Sequence, residues 1–226
     1  MAEDPNISVV ELVAHALGPI TQEMMLVGGC AVGLLMTDTA RPAVRQTGDV
    51  DLVAEIVSLA DYYHSLTPRL KDCGFVESPS DDHMCRWQKG NLLLDVMPTK
   101  EVLPGHPVNQ WYEEAFKHTQ TIVLPSGQNM NLISAPLFLA TKLDSFHSRG
   151  GGDYHHHDME DILNIVDGRP ELETELRAVS SEVMDYLIDE FDGLLADSNF
   201  TDAVEWQFPG GRATIVITRL RSIAGV

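Results

Sequence analysis

The runs that read as strands fall before residue 134, and from Ala135 to Leu195 the pattern turns helical. That division constrains the fold more than any single motif, because all the sheet must then be built from the first part of the chain. Residues 9–17 carry apolar positions at the spacing of an amphipathic helix, closed by Gly18-Pro19. Residues 24–27 are a short buried-type strand that runs into Gly28-Gly29, and 30–36 is small and apolar enough for a helix packed on it. The alternating, β-branched stretch 49–56 predicts a second strand, and 59–73 predicts a helix ending at Gly74. Two hairpins follow: 84–88 with 92–97 around Lys89-Gly90-Asn91, and 121–124 with 130–133 around Pro125-Ser126-Gly127-Gln128. Helices are expected at 135–147, 158–166 and 171–195, with a glycine-rich break at 149–152. The fold class expected is α+β: a mixed-sheet core of α/β-like character over residues 1–133 and a helical C-terminal region over 134–226.

Composition narrows the setting. No window of about eighteen uninterrupted apolar residues occurs, and the start of the chain lacks a basic flank followed by an apolar run, so neither a membrane span nor a signal peptide is expected. The expected location is cytoplasmic. Cys30, Cys73 and Cys85 form an odd set without a Cys-x-x-Cys spacing, which points to reduced thiols rather than a disulfide framework or a thiolate zinc site. A net charge of -19 weighs against general DNA or RNA binding, since that affinity comes largely from Lys and Arg displacing counterions around phosphates. The acidity crowds into residues 153–202, while Arg41, Arg45, Lys142 and Arg149 supply positive charge near the candidate site.

The chemistry concentrates in Asp49-Val50-Asp51. On a strand, residues two apart lie on one face, about 6–7 Å from each other, so both carboxylates can address one divalent cation. Magnesium takes oxygen ligands and keeps open positions for waters and phosphate oxygens. Asp95, inside the apolar run Leu92–Met97, is the candidate third carboxylate, because an ionised group in such a strand is costly unless paired or metal-bound. Taken singly, each Asp also reads as a turn residue or salt-bridge partner. Gly28-Gly29 follows a strand and opens a helix, where absent side chains let a phosphate approach backbone N–H groups.

The chain thus reads Val27-Gly28-Gly29-Cys30-Ala31-Val32 and then Arg45-Gln46-Thr47-Gly48-Asp49-Val50-Asp51-Leu52. It resembles the nucleotidyltransferases of the DNA polymerase beta superfamily, and its Arg-x-Thr-x-Asp-x-Asp form resembles the AbiEii/AbiGii-type toxin branch in particular. Much of the superfamily has Ser as the second residue of the glycine pair; Gly29 departs from that and matches the branch. The resemblance extends to 135–144, taken as the Lys-bearing helix, and to Arg149-Gly150, Asp153-Tyr154 and 157–162, taken as the Asp-bearing helix. It therefore covers most of the chain.

The resemblance implies a site in which Asp49, Asp51 and Asp95 hold Mg²⁺, with two ions expected and Mn²⁺ an alternative. It implies a nucleotide-binding set of Gly28, Gly29, Arg45, Thr47, Lys142, Arg149, Asp158 and Asp161, with Lys142 on the triphosphate and the helical region completing the active site. Lys142 and Arg149 share a helix face, as do Asp158 and Asp161. One of that Asp pair is expected to act as a base or to orient the lysine; a helix N-cap is the alternative for Asp158. His157 stands where family members often carry a basic residue. The reaction implied is attack of an acceptor hydroxyl on the α-phosphorus of an NTP such as ATP, with release of pyrophosphate and Asp95 taking the proton. Acceptors implied are a tRNA 3′ end or a protein hydroxyl, in a toxin–antitoxin or phage-defence setting with a cognate antitoxin. The competing readings are a non-catalytic nucleotide-binding, antitoxin-like regulator and a small-molecule (antibiotic) nucleotidyltransferase.

Two further features are expected to be structural. His155-His156-His157 reads as the polar lead-in to a helix rather than a zinc site, and Tyr62, Tyr63, Trp87 and Trp111 read as core aromatics rather than base-stacking platforms.

Overall fold

The computed structural model describes residues 4–38, 43–78 and 85–225. Arg41 and Met84, the first residue of the strand expected at 84–88, lie outside them. The chain forms two compact units, one of residues 4–33 and 45–134, the other of residues 34–44 and 135–225 where described.

The first unit is organised on a seven-stranded mixed sheet in the order β3-β4-β5-β2-β1-β7-β6. Helix α1 (Ile7–Leu17) buries Val10, Val13, Ala14 and Leu17 at helical spacing and passes through a 3₁₀ turn at Gly18–Glu23. Strand β1 (Met24–Val27) is buried throughout and leads into α2 (Gly28–Leu35), along which the chain passes into the second unit. Strand β2 (Val50–Ala54) is shorter than expected: Asp49 precedes it in a bend, so only Asp51 of the pair is a strand residue. The helical stretch after it is α3 (Leu59–Asp61), a π-helical turn at Tyr62–Leu66 and α4 (Thr67–Asp72). Pro68, near the start of α4, has no N–H to give to the preceding turn, which accounts for the widened segment.

Both expected hairpins form. After the two-residue β3 (Val76–Glu77), β4 (Arg86–Lys89) pairs antiparallel with β5 (Leu92–Pro98) around Gly90-Asn91. A short helix α5 (Tyr112–Lys117), not anticipated, precedes β6 (Gln120–Val123) and β7 (Asn129–Leu132). The central strands form two parallel pairs, β5 with β2 and β1 with β7, joined by the antiparallel pairing of β1 with β2.

The second unit is helical. Helix α6 (Ala135–Arg149) runs two residues beyond the expected end, and α7 (His157–Gly168) begins one residue before its expected start, after the glycine-rich break and residues 153–156. The single helix expected at 171–195 is two, α8 (Leu172–Leu176) and α9 (Ser181–Leu195). Ser180 caps the start of α9 by accepting the Val183 N–H, a bond that competes with continuous helix. Two more helices follow, α10 (Ser198–Gln207) and α11 (Arg212–Ala224). The end of α7 is a polar junction. Thr37 and Asp38 N–H both donate to Gly168 O at 2.9 Å, Arg169 donates to Leu35 O, and Arg212 bridges Asp167 and Asp38. No helix among the described residues is long and apolar enough to cross a membrane.

Candidate active site

Strand register places Asp51, Asp95 and Arg86 in one row. Val27 on β1 stands opposite Asp51 on β2, Asp51 beside Asp95 on β5, and Asp95 opposite Arg86 on β4. Residues opposite one another share a face, so Asp51, Asp95 and Arg86 project together. Burial alternates as that requires: Val50, Leu52, Trp87, Leu94 and Val96 are buried, whereas Asp51, Arg86 and Asp95 are half-buried. The half-buried placement of Asp95 makes it a residue on the open face of an amphipathic strand, not an ion enclosed in a buried one.

Arg86 ties the row together. Its Nε donates to Asp95 Oδ1 at 2.8 Å, and Nη2 donates to Asp95 Oδ2 at 2.7 Å and to Asp49 Oδ2 at 2.5 Å. The hydrogen bond to Asp95, opposed by burial and aided by the charges of Asp95, Asp49 and Asp51, raises the guanidinium pKa above its already high ordinary value. Sequence reasoning missed Arg86, although a signal was there. Counting outward from Lys89 and Leu92 on either side of the Gly90-Asn91 turn puts Arg86 opposite Asp95.

The glycine pair is tightly occupied. Gly28 has φ +63, a region that disfavours any other residue, and a Cβ there would stand 1.9 Å from Asp51 Oδ2. A Cβ on Gly29 would stand 2.5 Å from Thr47 Cγ2 and 3.0 Å from Arg45 Nη2. Glycine at 29 is thus the steric counterpart of Arg45 and Thr47. The segment carrying them is pinned by Asn6, which is fully buried. Its Oδ1 accepts the Thr47 N–H at 2.9 Å and its Nδ2 donates to Arg45 O at 3.0 Å. Thr47 Oγ1 also lies 2.9 Å from Cys30 Sγ and 3.3 Å from Asp49 O. Asn6 was not anticipated. It sits just before α1 without capping it, its side chain being spent on this loop.

In the second unit, α6 and α7 assemble a buried charge cluster. Lys142 Nζ is 2.9 Å from Asp158 Oδ1 and 2.7 Å from Asp161 Oδ2. Arg149 adds Nε to Asp158 Oδ2 at 2.7 Å and Nη2 to Oδ1 at 2.8 Å. The Lys142 side chain is 6% exposed and those of Asp158 and Asp161 are 0% and 1%, so each charge depends on its partners. Burial works against the Lys142 ammonium, but Asp161 and Asp158 outweigh it and raise its pKa. Burial likewise works against ionised Asp158, yet Arg149 and Lys142 hold its carboxyl well below the usual range. Both carboxylates thus contact the Lys142 ammonium. The N-cap role weighed for Asp158 falls instead to His156, whose Nδ1 accepts the Asp158 N–H at 3.2 Å.

The histidine run is the lead-in to α7. His156, His157 and Asp158 are also the one trio among the described residues whose potential ligand atoms all lie within 4.8 Å of one another. As a metal site it is poorly equipped: both Asp158 oxygens are committed to Lys142 and Arg149, and His156 Nδ1 to the helix cap. Asp49, Asp51 and Asp95 are not drawn together to that degree, but their chemistry fits a hard divalent cation. Two adjacent in-register strands present only carboxylate oxygens, and a cationic group already bridges Asp49 and Asp95.

Tyr62, Trp87 and Trp111 are buried as expected, while Tyr63 is 44% exposed. Burial pushes the Cys30 thiol up to about 12 and the Cys85 thiol to about 11, consistent with packing roles for both.

No protein-family model matches the chain, and no curated protein matches it. Among solved structures it is similar to an antigenic nucleotidyltransferase-like protein from Paracoccidioides brasiliensis, with 23% identity over 76% of this chain and 82% of that one, at a TM-score of 0.47. It is also similar to the antibiotic-resistance factor ANT(2″)-Ia in solution, with 13% identity, 70% and 81% coverage and a TM-score of 0.45. For the crystal structure of ANT(2″)-Ia in complex with adenylyl-2″-tobramycin the identity is 13%, the coverage 75% and 92%, and the TM-score 0.47.

Proposed function

We propose that this chain is a divalent-cation-dependent nucleotidyltransferase that moves a nucleoside monophosphate from an NTP to an acceptor hydroxyl. The observation that carries the reading is the in-register placement of Asp51 and Asp95 on adjacent strands, with Asp49 at the entrance to the first and the Gly28 turn against Asp51. Asp49, Asp51 and Asp95 would hold Mg²⁺ or Mn²⁺, which when bound neutralises phosphate oxygens during the transfer.

The chain's own residues supply the rest. The acceptor oxygen forms a bond to the α-phosphorus, the bond from that phosphorus to the β-phosphate oxygen breaks, and pyrophosphate leaves with its electron pair. Asp95 takes the acceptor proton. Gly28 and Gly29 leave backbone amides open to phosphate, and Arg45 balances its charge. Within the helical unit, Asp158 and Asp161 keep Lys142 protonated, with Arg149 holding Asp158 in place.

The AbiEii/AbiGii resemblance supports a toxin-like role with a cognate antitoxin. The net charge of -19 favours a protein hydroxyl or a small cationic molecule over an extended RNA as acceptor, leaving a tRNA 3′ end as a local contact only. A non-catalytic regulator is the weaker reading, because it has no use for three clustered carboxylates and a buried lysine. The test is incubation with Mg²⁺ and each α-labelled NTP, offering total tRNA, cell-extract protein and small hydroxyl compounds separately. Label on one acceptor class supports transfer and names the class. NTP binding without transfer to any of them supports the regulator.

A further inference from the structure

The proposed reaction leaves Arg86 without a duty, although it holds the centre of the carboxylate row. Its Nη2 lies 2.5 Å from Asp49 Oδ2 and 2.7 Å from Asp95 Oδ2, so one nitrogen stands between two of the oxygens that an ion shared by those residues would use. Magnesium binds such oxygens at about 2.0–2.1 Å, and a guanidinium nitrogen and an ion cannot occupy the same gap. The grip is also strong in kind: Asp95 receives the planar fork through both of its oxygens, the geometry in which arginine binds carboxylate best. The Arg86 side chain is 19% exposed, so it has a path toward solvent.

We propose that Arg86 is an internal counter-cation that competes with the divalent cation for Asp49 and Asp95, so that loading the ion requires the guanidinium to leave them. The proposal rests on the reading of Asp49, Asp51 and Asp95 as the metal site. In the cation-free chain Arg86 offsets the mutual repulsion of the three carboxylates. A divalent ion offsets more of it and displaces the arginine. The apparent affinity for the ion is then lowered by the population in which Arg86 is bound. Release of Asp95 from the fork also frees it to take the acceptor proton, coupling ion loading to readiness of the base.

The test uses the full chain and Mn²⁺ alone, with free Mn²⁺ counted by electron paramagnetic resonance for wild type, Arg86→Met and Asp51→Asn. Arg86→Met keeps much of the side-chain length and removes the charge. It is expected to bind Mn²⁺ at least roughly tenfold more tightly than wild type, the scale of losing one charge-assisted competitor. Its urea midpoint should be lower than that of wild type without Mn²⁺ and should rise more when Mn²⁺ is added. Equal or weaker binding by folded Arg86→Met, with binding still lost in Asp51→Asn, overturns the competition and leaves the metal reading standing. Mn²⁺ binding that Asp51→Asn does not reduce overturns both. The wild-type chain provides a check that needs no variant: the Arg86 Nε–H resonance should shift and exchange faster with water as Mg²⁺ is added. An unchanged Nε–H at Mg²⁺ levels that shift the Asp51 amide overturns the proposal.

Discussion

The Asp51 carboxylate lies against the bare backbone of Gly28, so closely that a Cβ at that glycine would stand 1.9 Å from Oδ2 and 2.6 Å from Cγ. The strand-to-helix turn and the Asp51 carboxylate, proposed above to hold the cation, are therefore one steric unit. Gly28→Ala meets the clash and a φ of +63 together. It is expected to cost at least about 1–2 kcal/mol of stability from the backbone conformation alone, and to push Asp51 out of the row. Urea denaturation beside Mn²⁺ titration checks this; an alanine variant with wild-type values for both would contradict it.

Gly29 offers a cleaner case of coupling. It lies in the first turn of α2 without a positive φ, a conformation alanine adopts without strain, so any loss in Gly29→Ala must come from the neighbours. The nearest is Thr47 Cγ2, 2.5 Å from the new Cβ; Arg45 Nη2, the end of a flexible side chain, can yield. Gly29→Ala should destabilise the wild type yet be neutral or stabilising in a Thr47→Ser background, which removes that methyl. A double-mutant cycle by chemical denaturation should return a coupling of roughly 0.5–3 kcal/mol.

The charge cluster of the second unit makes a prediction whose sign depends on pH. Lys142→Met leaves buried Asp158 and Asp161 without their shared cation and should cost about 3–5 kcal/mol near neutrality. In the wild type the raised Lys142 pKa contributes stability that is complete below its unfolded value of 10.5 and is lost as pH rises through the folded value. The lowered Asp158 pKa contributes stability that is present above its unfolded value of 3.8 and is lost as pH falls through the folded value. The cluster's contribution to the urea midpoint should thus be constant in the intervening range and fall beyond either end. In Lys142→Met, mild acidification should instead raise the midpoint, because protonation relieves the repulsion between Asp158 and Asp161 once their shared cation is gone. A variant that loses stability steadily from pH 7 downward would count against the cluster's assigned balance.

Much of this architecture is legible in the chain because two signals reinforce one another. Where alternation meets a turn dipeptide, as around Gly90-Asn91 and Ser126-Gly127, strands and pairing both follow. The register needed to place Asp95 beside Asp51, by contrast, joins strands β2 and β5 that are far apart in sequence, and only the folded sheet supplies it. Arg86 was hidden for a different reason: arginine on a short strand looks like a solvated residue until its cross-strand partner is known. The division of 171–195 at Ser180 escaped notice because both pieces are amphipathic and serine is only mildly unfavourable inside a helix. Strand β3 is two residues long with both exposed, too short to show any alternation.

The central claim is that Asp49, Asp51 and Asp95 support nucleotidyl rather than phosphoryl transfer. The most direct measurement supplies the purified chain and its Asp51→Asn variant with Mg²⁺, the acceptor fraction and NTP labelled at either the α or the γ phosphate, and follows both labels. The account predicts α label on the acceptor and γ label in released pyrophosphate for the wild type, and neither for Asp51→Asn, which should retain its fold by circular dichroism. Transfer of γ label to the acceptor, or undiminished α transfer by Asp51→Asn, would contradict it.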